Sequence, residues 1–208
     1  MGQRVGSLLY SGSSFATLPL GGTQSFPACT FEAWVKAQAE GGTVVSVGSG
    51  ALTIDVQPNA SSIRLSVAGA LTDAVASNLA GTWRHLAAVY DSVNGICVLY
   101  LDGAAIGSVA VTDPLPVDQL TLGIGLRGNI GEVSFWSIAR TNSAILNTKD
   151  HRLAGSETGL FAYWPCDEGS GQLLTDHGRF GHTGVLGSST AVEGSADPAW
   201  SFDGPPLQ

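Results

Sequence analysis

The sequence predicts an all-β fold, an antiparallel two-sheet jelly-roll sandwich with one short helix. Several segments alternate apolar and polar residues at every second position, which is the period of a strand with one face in a core. Glycine, asparagine and proline recur between these segments, and glycine alone accounts for 28 of the 208 residues. Charged residues make up only 12% of the chain, which suits many short strands joined by tight turns.

The stretch from residue 81 to residue 111 predicts three successive antiparallel strands. Asn94 and Gly95 tolerate the positive φ that a tight reversal requires, so the chain is expected to double back there. Asp102 and Gly103 supply a second reversal. The predicted strands cover residues 83–90, 96–101 and 104–111.

The same alternation predicts further strands on both sides of this stretch. They cover residues 7–10, 15–18, 30–37, 44–47, 52–56, 63–67, 120–124, 130–136 and 160–165. Pro114 and Pro116 are expected to interrupt strand pairing, because proline donates no hydrogen bond to a ladder. One helix is predicted near residues 141–149, with Thr141 or Ser143 as its N-cap.

Three motifs follow one another along the chain. They are Thr30-Phe-Glu-Ala-Trp-Val-Lys36, the pattern Gly81-x-Trp-x-His-x-Ala with Leu99-Tyr-Leu-Asp-Gly103 after it, and Gly128-Asn-Ile-Gly-Glu-Val-Ser-Phe-Trp136. Together they resemble the signature of laminin G-like domains in the concanavalin A-like lectin/glucanase superfamily, which also contains the pentraxins. The resemblance spans most of the chain and implies a sandwich with five to seven strands in each sheet.

The C-terminal quarter holds a block that commonly stands at the start of a laminin G-like unit. Residues 176–184, Asp-His-Gly-Arg-Phe-Gly-His-Thr-Gly, resemble a loop of that block. Either residues 160–204 complete the same sandwich, or the chain is a unit of a tandem array in which the next repeat has begun. The first interpretation is favoured, so residues 1–208 are expected to form a single domain.

Composition and charge exclude several classes of partner. Seventeen acidic residues face nine basic ones, and the formal net charge of −8 argues against nucleic acid and sulfated glycans. Neutral glycans and protein surfaces remain open. No apolar run approaches the ~18 residues of a membrane span, and the cellular compartment stays undecided. Three cysteines, Cys29, Cys97 and Cys166, are expected to be buried reduced thiols.

The sequence does not predict an enzyme. Glucanases of this superfamily carry two carboxylates at alternating positions of one strand, because both must reach one glycosidic bond at separations of roughly 5 to 9 Å. Glu32, Asp55 and Glu132 have Trp, Gln and Ser at the alternate position. No Gly-x-Ser-x-Gly elbow precedes a helix. His85 is expected to be a core histidine hydrogen-bonded to the backbone.

The resemblance implies a calcium ion, since many laminin G-like and pentraxin domains hold one at the sandwich edge with carboxylates and carbonyls. Glu132, Asp176 and Asp203 are the candidate ligands, although each could equally be an ordinary turn or surface acid. Residues 122–127, where pentraxins carry acids and amides, contain no acid. A double calcium site of the pentraxin type is therefore not expected.

Sugar binding requires exposed aromatic faces flanked by hydrogen-bonding groups. The candidates are Trp136, Tyr163, Trp164 and Trp200, although large aromatics in a sandwich more often fill the core. The predicted function is a non-enzymatic, lectin-like recognition or adhesion module for a neutral glycan or a protein surface. The alternative is a spacer or oligomerisation domain of a larger surface or toxin-like protein.

Overall fold

The computed structural model describes residues 5–76, 79–188, 190 and 194–208, and within them two antiparallel sheets face each other. The strands of the first sheet are β1 (Ser7–Ser11), β3 (Ala28–Ala37), β8 (Arg84–Asp91), β9 (Ile96–Leu101), β10 (Ala104–Ala110), β12 (Arg127–Trp136), β13 (Leu160–Trp164) and β16 (Ala199–Ser201). Those of the second are β2 (Ala16–Phe26), β4 (Gly42–Val47), β5 (Leu52–Val56), β6 (Ser62–Val67), β7 (Ala70–Val75), β11 (Leu115–Leu122), β14 (Leu173–Leu174) and β15 (Gly184–Leu186).

The strand orders describe a sandwich in which distant parts of the chain pair. The first sheet runs β10-β9-β8-β3-β12-β1-β16, with β13 on β12, and the second runs β14-β15-β2-β11-β4-β5-β6-β7. Strands from the last quarter of the chain enter both sheets: β13 pairs with β12, β16 with β1 and β15 with β2. The predicted all-β, antiparallel jelly-roll sandwich is confirmed.

Eight described strands in each sheet exceed the five to seven that the resemblance implied. The additional strands carry weak sequence signals, because β14, β15 and β16 are only two or three residues long. Strand β7 lies at a sheet edge. Its apolar residues Leu71 and Val75 are exposed, so the apolar positions of β7 do not mark a buried face in the sequence.

The expected interruption at proline is wrong at Pro116, which lies inside β11. It pairs with Ser25 of β2, close to a register shift between Val117 and Gln119. Strand β11 pairs with β4 only over residues 120–122, so Pro116 has no second ladder that would need its missing N–H group.

One main core fills the space between the sheets. Inward residues such as Leu86, Ala88 and Tyr90 of β8 are buried there, as the alternation predicts. All three cysteines are buried free thiols, which confirms that prediction. No helix within the described residues is long and apolar enough to cross a membrane.

The single α-helix among the described residues, α1 (Asn142–Thr148), lies on the outer face of the first sheet, and a three-residue 3-10 helix spans Pro58–Ala60. The side chain of Thr141 accepts a hydrogen bond from Ala144 N at 3.2 Å, as the predicted N-cap should. Ile145 is fully buried against Ala87 and Val89 of β8. This small second core fixes the helix over the polar side of the sheet.

Candidate functional site

Three of the four aromatic residues predicted to bind sugar are buried. Trp136, Tyr163 and Trp164 are each at most 2% exposed, so protein covers the ring faces on which a pyranose would stack. These three candidates therefore cannot stack on a sugar, because β12 and β13 place their rings in the interior, where large aromatics of a sandwich more often lie. Trp200 on the edge strand β16 is half-buried, and its Nε1 donates to Gly171 O at 2.9 Å.

A buried polar network joins α1 to the outer face of the first sheet. Arg140 donates through Nη1 to the carboxylate of Glu32 and through Nη2 to Ala144 O at 2.8 Å. Glu32 Oε2 lies 3.4 Å from His85 Nε2, so His85 faces a carboxylate rather than the expected backbone group. The cavity among these side chains measures about 20 Å³, which suits one water molecule. The network therefore anchors the helix and has no room for a sugar.

Glu132 lies at a bulge of β12 with an unusual backbone. Its φ of +53° falls in the left-handed region, where a glutamate is uncommon. The carboxylate accepts a hydrogen bond from Tyr163 OH, and its Oε1 lies 3.4 Å from Arg152 Nη2. Burial raises the pKa of Glu132 to about 7, although Tyr163 and Arg152 oppose the shift. Glu132 is therefore a buried titratable group.

Asp176 fixes the loop of residues 176–182 against β13. Its Oδ1 accepts hydrogen bonds from Tyr163 N at 2.8 Å and Gly178 N at 2.6 Å, and its Oδ2 accepts one from His182 N at 2.7 Å. Glycine is required at position 178, because a Cβ atom there would lie 2.8 Å from Asp176 Oδ1. The loop is thus held by a single carboxylate at both ends.

The fixed loop presents Phe180 to solvent. Its ring is 56% exposed and packs underneath on Phe161 and His182, with centroid distances of 4.9 and 5.7 Å. A groove of about 630 Å³ lies beside the ring, and we name it the Phe180 groove. It is lined by Ser137, residues 155–160, Arg179 and Phe180. The groove combines an aromatic ring with hydroxyl groups and a guanidinium.

The wall of the Phe180 groove is built by close packing of two loops. Gly155 has a φ of +85°, and a Cβ atom there would lie 2.0 Å from His177 O. The carboxylate of Glu157 accepts hydrogen bonds from Ala154 N at 2.5 Å and Gly155 N at 3.0 Å. Arg179 is exposed and has no hydrogen bond or ion pair with another described residue, so its guanidinium is available to a ligand.

A second groove, of about 230 Å³, lies beside the start of β1 and the segment that follows β13, and we name it the Trp200 groove. It is lined by Gly6, residues 167–169, Trp200, Ser201 and Phe202. Phe202 is 75% exposed. The next residue, Asp203, accepts hydrogen bonds from Lys36 Nζ at 2.8 Å and Trp83 Nε1 at 3.0 Å, and these donors lower its pKa.

The three predicted calcium ligands are not brought together. Glu132 and Asp176 contact opposite ends of Tyr163, and Asp203 lies at the segment that carries Phe202. Each carboxylate already accepts hydrogen bonds from the protein. The described part of the chain contains no cluster of three or more His, Cys, Asp or Glu residues that could hold a metal ion. These three residues therefore do not form one calcium site, and calcium binding itself stays a prediction.

Sequence reasoning missed Arg179, Phe180 and Phe202 as exposed candidates. A usable signal was present, because Phe180 lies between Gly178 and Gly181 in a polar loop, outside any alternating segment. An aromatic residue in such a loop is not part of an alternating strand, so no strand face directs its side chain towards a core. Phe202 lies in a comparable short turn beside Gly204.

Comparison with known families and structures agrees with the observed fold. A family model described as the concanavalin A-like lectin/glucanases superfamily matches residues 10–146. A search of curated proteins returned no match.

Several solved structures share the fold at low sequence identity. A protein from Bacteroides ovatus, with a suggested role in carbohydrate binding, superposes with a TM-score of 0.71 at 18% identity. The match covers 95% of this chain and 62% of that one, so the present chain spans about three fifths of its length. A heptameric SAP-like pentraxin from Limulus polyphemus gives 0.58 at 14% identity, covering 69% and 81%. Domains LG4-5 of the mouse laminin α1 chain give 0.51 at 17%, covering 68% and 44%.

Proposed function

The chain belongs to the concanavalin A-like lectin/glucanase superfamily, and from that premise we propose that it is a non-enzymatic module that binds a neutral glycan in the Phe180 groove. One observation carries the proposal: the exposed ring of Phe180 is held rigidly beside a hydroxyl-lined groove. The apolar face of a pyranose stacks on such a ring, and surrounding polar groups orient its hydroxyls.

Rigidity favours binding at this groove. Asp176 ties the loop to β13 through three backbone N–H groups, and Phe161 and His182 support the ring from below. A ligand would therefore not have to order the loop when it binds, which lowers the entropic cost of association. The volume of about 630 Å³ lies within the range of ~300 to 1,000 Å³ typical of small-ligand sites.

The polar lining suits a glycan with uncharged hydroxyl groups. Ser156 and Thr158 can donate and accept hydrogen bonds, and the guanidinium of Arg179 can donate to ring or hydroxyl oxygens. The net charge of −8 disfavours polyanionic glycans over the surface as a whole. The suggested carbohydrate-binding role of the Bacteroides protein supports the same class of ligand.

The groove lacks the carboxylate pair that glycoside hydrolysis requires. Glu157 is the one carboxylate among its described lining residues, and both of its oxygens accept backbone hydrogen bonds. Binding without bond cleavage is therefore the proposed activity.

A glycan array probed with the full chain, with and without calcium, tests the proposal. We expect binding to neutral glycans, and we expect Phe180→Ala to weaken it about tenfold or more through loss of the stacking surface. Phe202→Ala is the matched control, because it removes an exposed phenylalanine outside the groove. Silence on the array in both conditions would favour the spacer alternative, and release of sugar from a polysaccharide would overturn the non-enzymatic assignment.

A further inference from the structure

Strand β7 is a sheet edge without the usual protection against pairing. Four strands, β10, β16, β14 and β7, end the two strand orders of the described residues. Of these, β14 and β16 are two and three residues long, and β10 contains a register shift between Ala105 and Gly107. Strand β7 runs six residues in unbroken register with β6 and contains neither lysine nor proline. Short strands, bulges, lysine and proline keep natural sheet edges apart, so β7 is the edge that is left open.

The free side of β7 presents backbone groups to solvent. The two-residue turn of residues 68–69, both with positive φ, makes Val67 and Ala70 a hydrogen-bonded pair. Ladder bonds to β6 therefore fall on every second residue, and the bond from Ala76 N to Ser61 O at 3.1 Å continues that alternation. The residues between them direct their N–H and C=O groups away from β6, and they are Leu71, Asp73 and Val75. None of the three has a backbone hydrogen bond to a described residue outside the β6 ladder.

The side chains of these three residues form a symmetric pattern on the outer face of the second sheet. Leu71 is 58% exposed and Val75 is 89% exposed, with Asp73 between them. Asp73 accepts hydrogen bonds from Arg64 Nε at 2.7 Å and Nη2 at 2.8 Å, so its charge is already compensated. The order of apolar, acidic and apolar residues is the same in both directions along the strand. An antiparallel pairing of β7 with itself requires such a pattern.

This pattern selects one register for the pairing. When two copies of β7 pair with Asp73 at the centre, Leu71 lies opposite Val75 of the second copy, and the reverse pair forms on the other side. All of these residues have backbone groups that face the free edge, so each opposed pair exchanges two hydrogen bonds. The apolar side chains meet each other, which stabilises cross-strand pairs. A shift by two residues would instead place Leu71 opposite an acid.

We infer that two copies of this chain associate edge to edge through β7, so that the second sheet continues across the dimer. The interface is isologous, because the same strand serves both copies. Unpaired edge groups and exposed apolar side chains are both covered by this one contact. The residues that line the Phe180 groove include none of β7, so the inference does not rest on the proposed glycan binding.

Sedimentation velocity of the full chain between about 1 and 100 μM tests the inference. We expect the average mass to rise from that of one chain towards that of two. Val75→Lys should weaken association about tenfold or more, because it places a charge opposite Leu71 of the second copy. Val93→Lys is the matched control, since Val93 is 80% exposed in the turn between β8 and β9 and should leave association unchanged. Both positions are exposed, so circular dichroism should match that of the wild type.

The variant Asp73→Cys tests the register. In the paired strands the two Cα atoms at position 73 lie about 5.5 Å apart, within the ~4.4 to 6.8 Å that disulfides span. We expect mild oxidation to link this variant across the dimer and to leave Leu71→Cys unlinked. The native cysteines are buried and do not compete. A chain that stays monomeric over the whole series would overturn the inference, and so would a dimer that Val75→Lys leaves intact.

Discussion

The guanidinium of Arg140 donates a hydrogen bond to the carboxylate of Glu32, and both side chains are buried between α1 and the first sheet. The same carboxylate faces His85 on β8. Each charge is therefore compensated by protein rather than by water. Removing one partner of such a pair leaves the other charge unpaired in a low-dielectric interior. The free-energy cost of that unpaired charge exceeds the net stabilisation that the intact pair provides.

We expect Arg140→Met to destabilise the fold by about 3 to 5 kcal/mol, the cost of stranding a buried charge. Methionine keeps apolar volume beside Trp136, over whose ring the guanidinium carbon lies at 3.8 Å. Urea unfolding monitored by tryptophan fluorescence measures the change. The control is Arg64→Met, since the pair between Arg64 and Asp73 is exposed. An equal loss in both variants would contradict the role of burial.

Glu132 predicts a pH dependence of stability. Its pKa in the folded protein is raised to about 7, above the ~4.3 of an unfolded chain. Above pH 7 both states are ionised, and the folded state bears the cost of the buried charge. As the pH falls from 7 towards 4.5 only the folded state takes up the proton, so its stability rises by up to about 3 kcal/mol.

The Glu132→Gln variant isolates this effect. We expect the free energy of unfolding of the wild type to increase between pH 8 and pH 5.5, and the variant to lack that increase, because glutamine does not titrate. Amide and carboxyl groups both accept the hydrogen bond from Tyr163, so the local contact is retained. Parallel pH profiles for the two proteins would exclude Glu132 as the source.

Asp176 predicts a coupling between loop stability and glycan affinity. Asp176→Ala leaves three backbone N–H groups without their acceptor and should destabilise the fold by about 2 to 3 kcal/mol. The same variant should weaken glycan binding, because Phe180 is no longer held beside its groove. Thermal unfolding and calorimetry on the same sample measure both effects.

Phe180→Ala is the informative comparison for that variant. Its ring is more than half exposed, so we expect a large loss of affinity with little change in the unfolding temperature. If Asp176→Ala lowered stability and left the affinity intact, the loop would not need its anchor in order to bind.

The strands with clear alternation could be predicted from sequence. The segments now seen as β3, β8 and β9 repeat in period two and end at turn residues, so local pattern and fold agree. The short β14 and β15 carry no such period. They become strands only because β2 offers a partner from the other end of the chain.

The candidate site was harder to predict because it depends on contacts between distant segments. The sequence does not show whether tertiary packing buries an aromatic residue, as it buries Trp164, or leaves it exposed, as it leaves Phe180. Asp176 was a candidate metal ligand because of its residue type. Its role as a loop anchor follows from the approach of β13, which no local pattern contains.

Truncation after Asn147 tests whether residues 160–204 belong to the same folding unit as the strands before them. The deletion removes β13 and β16 from the first sheet and β14 and β15 from the second, and with them the buried Tyr163 and Trp164. Losing two large aromatics removes roughly 7 to 12 kcal/mol of burial at ~25 cal/mol per Å², which is comparable with the stability of a whole domain. We therefore expect insoluble or unfolded protein by circular dichroism. A truncated chain that melts cooperatively within a few degrees of the full chain would instead place the last quarter in a separate unit.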